Sequence, residues 1–558
     1  MEKNQEKTQA ELYREERKKR MAKVAQKNSK KSPQLSKIGR GFGKCLGIVV
    51  IVAVCLVAIY GILSFFGIPQ RALTAMKVGD KKVSVAKYNY YYMSVYTQTL
   101  YQAVQYESQG QGYGQMYTGF DYSKMPEEQA YTGTIDGIEN PTWEDYFDDQ
   151  ARKSIQQFDL YAEQARLSNI TLTDEEKKDI EDNIQSLRDG AENNDYSLSR
   201  FIVINYGKGV TESIIREALE NQKLAQSYFT AKQEELTKAV TGEKVNEEFA
   251  ANIQNYTTVG VAYFTVTAET PELAEDATDE QKTAANQQAM ADAKAKAEAY
   301  LAQVTDDASV VRLGMEYNAQ LNSDSIVNKE ASGSSLSSIG ESAVNWIYAA
   351  DRAVGDKTVI EGTNGYTVLY LISLPQKDTT KLANVRHILF QFETTDEQSE
   401  ATDEQKAAAK AQADEIYKKY QANPTEDNFA ALAKENSADP GSKDKGGLYE
   451  NVYPGQMVES FNDWVFDEAR KPGDTDIVET SYGYHIMYYI GNENTPEYWY
   501  YQCQQAVANK DFENYNTNLL NTKPITPNAS LINWAKSSLD SIVSNIIYRF
   551  SQQLSSYR

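Results

Sequence analysis

The chain contains only two histidines, His387 and His485, among its 558 residues. Either the pair is an accident of composition, or both residues belong to one site. His387 lies in the strand-like stretch "VRHILF", and His485 lies in "SYGYHIMYYIG". The alternation of side chains in these stretches is typical of β-strands. If the two strands are neighbours in a small antiparallel sheet, the imidazoles come together, with the hydroxyl of Thr480 as a bridge.

The sequence between the histidines supplies further candidate residues. The segment "ADPGS" is expected to form a tight turn that presents Asp439. Met457 and Phe461 are four residues apart, which predicts that they share one helical face, and Leu448 precedes them on a strand after Gly446-Gly447. These apolar side chains either line a pocket or fill the core, and each of them alone would be an ordinary core residue.

The chain repeats itself from about residue 257. The hexapeptide "ATDEQK" occupies 277–282 and recurs at 401–406, and "VAYFTV" precedes "VRHILF" by the same separation. Residues 345–372 also match residues 463–490. Matching blocks in the same order indicate tandem copies of one domain. Each copy reads as a strand, a long helix, a connecting region, a helix and two strands, which predicts an α+β fold with helices packed on a small antiparallel sheet.

Helical patterns dominate the rest of the chain after about residue 73. Residues 73–256 are predicted to form an all-α domain, with a short hairpin around Gly79-Asp80 and a loop insertion near 107–142. Within it, Thr173-x-x-Glu176 is a capping-box pattern that predicts a helix start. Residues 496–558 are predicted to form a C-terminal helical segment whose apolar stripe packs against another domain.

Residues 45–68 carry no charged side chain. At about 1.5 Å per residue, such a helix exceeds the ~30 Å hydrocarbon layer of a bilayer, which predicts a transmembrane helix. Residues 1–44 contain 14 Lys and Arg against 5 Asp and Glu, whereas the remaining residues contain 43 against 74. The positive-inside rule therefore predicts a cytoplasmic tail at 1–44 and extracellular domains after the helix. A cleaved signal peptide is the alternative, although its apolar core would be shorter.

Composition argues against several other classes of protein. The acidic exported part would be repelled by nucleic acid, and the basic tail is an orientation signal that also favours anionic lipid. Cys45 and Cys55 lie in the apolar stretch and Cys503 stands alone, which predicts neither an internal disulfide in the exported part nor a zinc or thiol-redox site. No nucleophile elbow, HExxH motif or phosphate loop is present, and no metal or organic cofactor is implied.

The motifs of residues 382–491 give a specific resemblance. "VRHILF", "FAALAKENSADPGSKDKGGLYENVYPGQMVESFNDWVF" and "TSYGYHIMYYI" resemble the motifs of parvulin-type peptidyl-prolyl cis/trans isomerases. The wider layout resembles membrane-anchored extracytoplasmic foldases of the PrsA/SurA type, whose helical chaperone part matches "VGDKKVSVAKYNYYY", "TLTDEE" and "YGKGVTESIIREAL". The resemblance implies tandem parvulin-like domains at 257–376 and 382–491.

The resemblance implies roles for four polar residues. His387 and His485 would be the paired histidines beneath the active site. Asp439 occupies the position where parvulins carry cysteine or aspartate, and Thr480 matches the hydroxyl residue that is linked to the histidines. Tyr482 stands where some relatives have serine, so this part of the network departs from the pattern.

The resemblance also implies a substrate pocket. Leu448, Met457 and Phe461 would bind the proline ring of the substrate. Rotation about a prolyl amide meets a barrier of about 18–20 kcal/mol, and a site that binds the twisted amide better than the planar one accelerates it without breaking a bond.

The first copy lacks these side chains. Tyr263 stands at the position of His387, Thr367 at that of His485 and Ala343 at that of Phe461. We therefore expect residues 257–376 to form an inactive parvulin-like domain that serves as a spacer, a dimer contact or a client-binding surface.

The function expected from the sequence is that of a peptidyl-prolyl isomerase and chaperone. It would assist the folding of exported, proline-containing polypeptides at the outer face of the cytoplasmic membrane, anchored in membrane lipid by its N-terminal helix, with a homodimer left open. The alternative is a non-catalytic holdase chaperone or envelope scaffold with a vestigial isomerase site. A protease or hydrolase has little support.

Overall fold

The structure is a computed structural model, and the residues that it describes are 14, 16–21, 23, 63, 66–269, 272–274, 277–393 and 401–556. The predicted cytoplasmic tail, 1–44, and transmembrane helix, 45–68, lie outside the described residues except at a few positions. Among the residues that are described, no helix is long and apolar enough to span a bilayer.

The described part of the chain combines long helices with three small antiparallel sheets. In chain order the helices are α1 (Ile68–Ala72), α2 (Val85–Gln109), α3 (Tyr113–Thr118), α4 (Trp143–Leu167), α5 (Asp174–Asn193), α6 (Leu198–Tyr206), α7 (Glu212–Ala239), α8 (Gly242–Ala251), α9 (Asp279–Leu301), α10 (Asp307–Tyr317), α11 (Ser323–Ile326), α12 (Gly333–Leu336), α13 (Glu341–Ile347), α14 (Asp403–Ala422), α15 (Glu426–Asn436), α16 (Glu459–Val465), α17 (Tyr498–Thr522) and α18 (Ala529–Ser556). The strands are β1 (Thr74–Val78), β2 (Lys81–Ser84), β3 (Thr257–Thr267), β4 (Val327–Ser332), β5 (Lys357–Gly362), β6 (Gly365–Leu371), β7 (Gln376–Lys377), β8 (Ala383–Gln391), β9 (Leu448–Val452), β10 (Thr475–Glu479), β11 (Gly483–Gly491) and β12 (Ile525–Pro527).

The chain divides into two compact units, one built from residues 1–231 and 515–558 and the other from residues 232–514. The first unit is mainly helical. Its small sheet has the order β12-β1-β2, in which β1 and β2 form the hairpin predicted around Gly79-Asp80 and β12 joins from the far end of the chain. The region predicted as a loop insertion, 107–142, contains α3 as well as irregular backbone.

The core of the first unit is rich in aromatic side chains. Tyr88, Tyr92 and Tyr96 on α2 are buried there, and the ring of Phe147 on α4 meets Tyr96 edge-on at 5.5 Å between centroids. Side chains of α18 complete the same core, namely Ile532, Ala535, Leu539 and Val543. The predicted capping box also forms, because Thr173 accepts a hydrogen bond from the backbone of Glu176 and its own backbone donates to the Glu176 carboxylate.

The second unit contains two sheets with the same strand order. The first sheet runs β4-β3-β6-β5, with β7 also paired to β3, and the second runs β9-β8-β11-β10. A long helix follows the first strand of each copy, α9 after β3 and α14 after β8. Both helices begin with a Thr-Gln capping box. These domains are α+β, as the sequence predicted.

The two copies also share details that set the backbone. The guanidinium of Arg352 lies over Trp346 at 4.8 Å in the first copy, and Arg470 lies over Trp464 at 3.9 Å in the second. Matching glycines take positive φ, with Gly355 at 91° and Gly473 at 90°. A scaffold is thus repeated in the second unit, and the first copy adds the short elements α11, α12 and β7 to it.

Candidate active site

The two histidines meet on the central strands of the second sheet. β8 and β11 are antiparallel neighbours, with His387 opposite Met487 and His485 opposite Leu389. Since side chains alternate between the faces of a strand, both imidazoles lie on one face, diagonally across the pair. Their Nδ1 atoms are 3.0 Å apart, and the ring planes differ by 19°. A hydrogen bond therefore joins the two rings.

Burial determines the charge of His485, whose side chain is 5% exposed. Burial, together with the proximity of His387, lowers the pKa of His485 to about 3, because a cation loses its hydration in the interior. His485 is therefore neutral near pH 7 and carries one ring proton. Its Nε2 lies 2.9 Å from the hydroxyl oxygen of Thr480, which is the bridge expected from the sequence.

Asp439 lies at the other end of the pair. Its Oδ2 is 2.8 Å from Nε2 of His387. The hydrogen bond from His387 lowers the pKa of Asp439 well below its usual value, with help from Ser442 and against the effect of burial. An ionised carboxylate only accepts hydrogen bonds, so His387 donates to it through Nε2–H.

These contacts form one chain of hydrogen bonds whose direction depends on His387. When His387 carries a proton only on Nε2, its Nδ1 accepts from Nδ1–H of His485, and Nε2 of His485 accepts from Thr480. A second proton on His387 reverses both bonds, because Nδ1–H must then donate to His485 and Nε2–H of His485 must donate to Thr480. The tautomer of His485 thus reports the charge of His387.

The turn between α15 and β9 brings Asp439 to the sheet. The hydroxyl of Ser437 accepts a hydrogen bond from the backbone N–H of Leu389, and the carbonyl of Gly447 accepts one from the N–H of His387 at 2.9 Å. Gly447 has a φ of 75°, and a Cβ there would lie 2.2 Å from the carbonyl oxygen of His387. Glycine is therefore required where this turn rejoins the sheet.

Apolar side chains lie against the histidines. Phe461 on α16 is 2% exposed, and its ring meets each imidazole edge-on with centroids 5.5 Å apart. Met457 packs partly buried against the same apolar cluster. The prediction that Met457 and Phe461 share a helical face is wrong, because the extended backbone of Val458 makes α16 begin at Glu459. Both side chains nevertheless belong to one cluster.

Leu448, the third predicted pocket residue, is not brought to the histidines. The register of β8 and β9 places Leu448 opposite Arg386 and Tyr449 opposite Val385. Val385 and His387 share a face, so Tyr449 points toward the site and Leu448 points away from it. The ring centroid of Tyr449 is 5.3 Å from that of His387. Tyr449 thus occupies the position that the sequence analysis gave to its neighbour.

Two residues of this site were missed by sequence reasoning. Ser442 is buried; its hydroxyl donates to Oδ2 of Asp439 and lies 2.9 Å from Nε2 of His387. The hydroxyl of Tyr449 donates to the same Oδ2 at 3.0 Å. The spacing of three residues between Asp439 and Ser442 in a Pro-Gly turn was a usable indication. Tyr449 carried none, because a register shift between Ala383 and Val385 changes which residue of β9 faces inward.

The first copy replaces this network with smaller groups. Thr367, at the position of His485, lies across from Thr265, and their hydroxyl oxygens are 2.8 Å apart. Ala343 is fully buried at the position of Phe461. Tyr263, at the position of His387, packs partly buried on the same side of the sheet as Ala343. The imidazole pair and its aromatic cover are therefore both absent from this copy.

A family model for the PPIC-type PPIASE domain, the parvulin type of peptidyl-prolyl isomerase, matches residues 369–491. This stretch contains all of β8 to β11 and every residue of the site described above. The chain carries a parvulin domain. The match to the family model begins within β6 and ends in β11.

Curated relatives of this chain include two foldases. The chain is 43% identical over 65 residues to foldase protein PrsA 4 of Bacillus cereus, which covers 11% of this chain and 21% of that protein. It is 36% identical over 112 residues to foldase protein PrsA of Staphylococcus epidermidis, which covers 20% and 32%. The chain thus matches at most about a third of the length of these relatives.

Solved structures give a weaker likeness. The crystal structure of PrsA from Bacillus subtilis aligns with 71% of this chain and 92% of its own, at 15% identity and a TM-score of 0.23. The crystal structure of the peptidylprolyl isomerase PrsA from Bacillus anthracis aligns at 17% identity and a TM-score of 0.17. Values this low do not establish a common arrangement of the whole chain.

Proposed function

We propose that the parvulin domain catalyses cis/trans isomerisation of prolyl peptide bonds. The observation that supports this best is the joining of His387, His485, Asp439 and Thr480 in one hydrogen-bonded chain beneath the ring of Phe461. The relatives described above, which match part of the chain, are foldases by name, which agrees with the proposal.

The proposed chemistry needs no bond cleavage. A prolyl amide isomerises through a twisted state in which the conjugation of nitrogen with the carbonyl is lost, and the barrier in water is about 18–20 kcal/mol. Phe461 and Met457 would hold the proline ring, while the anionic Asp439 and the buried histidines would provide a fixed electrostatic environment for the twisted amide. Rate acceleration then comes from binding that state better than either planar isomer.

At the level of the whole protein, the proposed role is that of a foldase for exported, proline-containing polypeptides. Uncatalysed prolyl isomerisation takes tens of seconds or longer, which is slow enough to limit folding. The helical first unit would supply chaperone activity. The apolar stretch 45–68 and the basic residues before it support a single-pass anchor in membrane lipid, with the two units on the outer face of the cytoplasmic membrane. A homodimer stays a prediction.

The second candidate is a non-catalytic holdase or envelope scaffold. It is favoured by one observation, namely that the first parvulin-like copy keeps the scaffold without the histidines. If the first parvulin-like domain is kept without an active site, the second could also be kept for a non-catalytic purpose. The network around His387 is intact, however, and this favours catalysis by the second copy.

The test is exchange NMR of a proline-containing peptide with the full chain. The wild type should accelerate cis/trans exchange. Asp439→Asn, which keeps the shape of the side chain and removes its charge, should reduce kcat/KM by about 10–100-fold if the carboxylate acts electrostatically. Met457→Ala should raise KM, since it removes apolar contact with the proline ring from a position that is only partly buried.

Thr367→Val in the first copy is the matched control. It removes the hydroxyl at the position that corresponds to His485 and should leave exchange unchanged. If the wild-type chain does not accelerate exchange at all while still suppressing aggregation of an unfolded client, the enzymatic proposal fails and the holdase role is supported.

A further inference from the structure

The carboxylate of Asp439 has four hydrogen-bond donors around it, more than the sequence indicated. Its Oδ2 receives the hydroxyls of Ser442 and Tyr449 and lies 2.8 Å from Nε2 of His387, while its Oδ1 accepts the backbone N–H of Gly441. Three of these donors come from the turn or from His387. Tyr449 is the exception, because it reaches the carboxylate from β9.

Tyr449 is also bound to the site through its ring. The centroid of the ring is 5.3 Å from that of His387, with a 33° angle between the planes. One side chain therefore contacts both partners of the His387–Asp439 hydrogen bond. Burial, followed by the charge of Asp439 and their hydrogen bond, raises the pKa of Tyr449 to about 12, so the phenol stays protonated and remains a donor.

The turn leaves space for this phenol. A Cβ on Gly441 would lie 2.7 Å from the hydroxyl oxygen of Tyr449, and its next neighbours would be 3.5 Å or more away. An alanine at 441 would therefore collide with the hydroxyl of Tyr449, while its other neighbours would lie at ordinary contact distances. The absence of a side chain at 441 and the presence of the hydroxyl at 449 fit each other.

We propose that Tyr449 is a positioning residue of the parvulin site, whose hydroxyl and ring hold Asp439 and His387 in the geometry of their hydrogen bond. This inference rests on the proposed isomerase function for its catalytic consequence. The claim that Tyr449 holds the two side chains in place can be tested without activity, because it predicts a change in the NMR signals of the His387 ring.

The experiment uses the full chain with nitrogen-15-labelled histidine, in which the two rings are the only labelled side chains. Nitrogen-15 shifts report the tautomer and charge of each imidazole. Tyr449→Phe keeps the ring and removes the hydroxyl, and it should shift the signals of His387. It should also reduce kcat/KM by about tenfold, which is the effect of losing a hydrogen bond to a charged group.

The pH profile gives a readout that a merely structural residue would not move. A donor stabilises the ionised carboxylate, so its removal raises the pKa of Asp439 and moves the acid limb of activity to higher pH. Tyr417→Phe is the matched control, because it removes a phenol hydroxyl bonded to Thr475 on another part of the same domain. If Tyr449→Phe matches Tyr417→Phe in histidine signals and pH profile, the inference is overturned.

A double-variant cycle provides an independent check. Gly441→Ala should perturb the histidine signals in the wild-type background and have little effect in the Tyr449→Phe background, where the colliding atom is gone. Equal effects in both backgrounds would contradict the placement of the hydroxyl. If the wild type shows no isomerase activity, the proposed function fails, while the nitrogen-15 signals still decide whether Tyr449 positions His387.

Discussion

At the scale of single residues, the site depends on which protons its buried groups carry. His485 stays neutral because it is removed from water and lies against a second imidazole, whereas Asp439 stays ionised because donors surround it. Both residues therefore favour their deprotonated forms, His485 as a neutral imidazole and Asp439 as an anion, at the two ends of one hydrogen-bonded chain. His387 lies between them and is hydrogen-bonded to His485 through Nδ1 and to Asp439 through Nε2.

This arrangement predicts the pH dependence of stability. Below about pH 6.5 the unfolded chain binds a proton at His485 that the folded protein does not bind until about pH 3. The unfolded state is thus favoured as the pH falls through this window, and the free energy of unfolding should decrease by up to about 1.4 kcal/mol per pH unit. The lowered pKa of Asp439 adds a loss of the same sign below its usual value of 3.8.

The measurement is amide hydrogen exchange in β8 and β11 between pH 7 and pH 4, corrected for the intrinsic exchange rate. His485→Thr introduces the residue found in the first copy and should remove most of the slope between these values. A wild-type domain whose protection is independent of pH, or a His485 ring that titrates near pH 6.5 by NMR, would contradict the prediction.

At the scale of elements, a close approach of two backbones helps to set the position of Asp439. Gly447 lies against the backbone of His387 with a positive φ, and its carbonyl accepts the N–H of His387. The turn that carries Asp439 is therefore attached to the strand that carries His387. Displacing one displaces the other.

Gly447→Ala should destabilise the parvulin domain and disturb the site. The added Cβ would collide with the carbonyl oxygen of His387, which is backbone and cannot rotate away. We expect a loss of about 3 kcal/mol or more, together with weakened isomerase activity. Gly455→Ala is the matched control, since its φ is 80° but nothing lies within 4 Å of the added atom, so only about 1 kcal/mol is expected. Thermal unfolding followed by the histidine signals separates the two.

The sequence was sufficient for elements whose pattern is local or repeated. It predicted the tandem copies, the Gly79-Asp80 hairpin and the Thr173 cap, and it gave the pairing of the strands that carry His387 and His485 as one of two alternatives. It failed where the inward face of a short strand depends on a register shift, as at Leu448 and Tyr449. It also failed at Met457, because spacing of four residues says nothing about where a helix begins.

At the scale of the whole molecule, the first unit is completed by the end of the chain. Side chains of α18 are buried among the tyrosines of α2, and β12 adds a third strand to the hairpin at the beginning of the same unit. The second unit has its own apolar clusters in each parvulin-like copy. A substitution that destabilises the core of one unit should therefore leave the core of the other unit folded.

Leu539→Ala tests this separation. Leu539 is 1% exposed in the core of the first unit, and its truncation should cost about 2–5 kcal/mol there. Hydrogen-exchange protection of α2 should fall, while the two histidine signals of the parvulin domain remain unchanged. Tyr548→Ala on the same helix is the control, because that side chain is 65% exposed and should have little effect. Loss of the histidine signals with Leu539→Ala would show that the units unfold together.

The division of the first unit between the two ends of the chain has a consequence for the timing of its folding. About 300 residues are synthesised between its first part and α18, and at rates of about 5–20 residues per second this takes roughly 15–60 seconds. Throughout that interval the aromatic side chains of α2 lack α18, the helix that completes their core in the finished protein. The proposed foldase thus exposes apolar core surface of its own until its synthesis is almost complete.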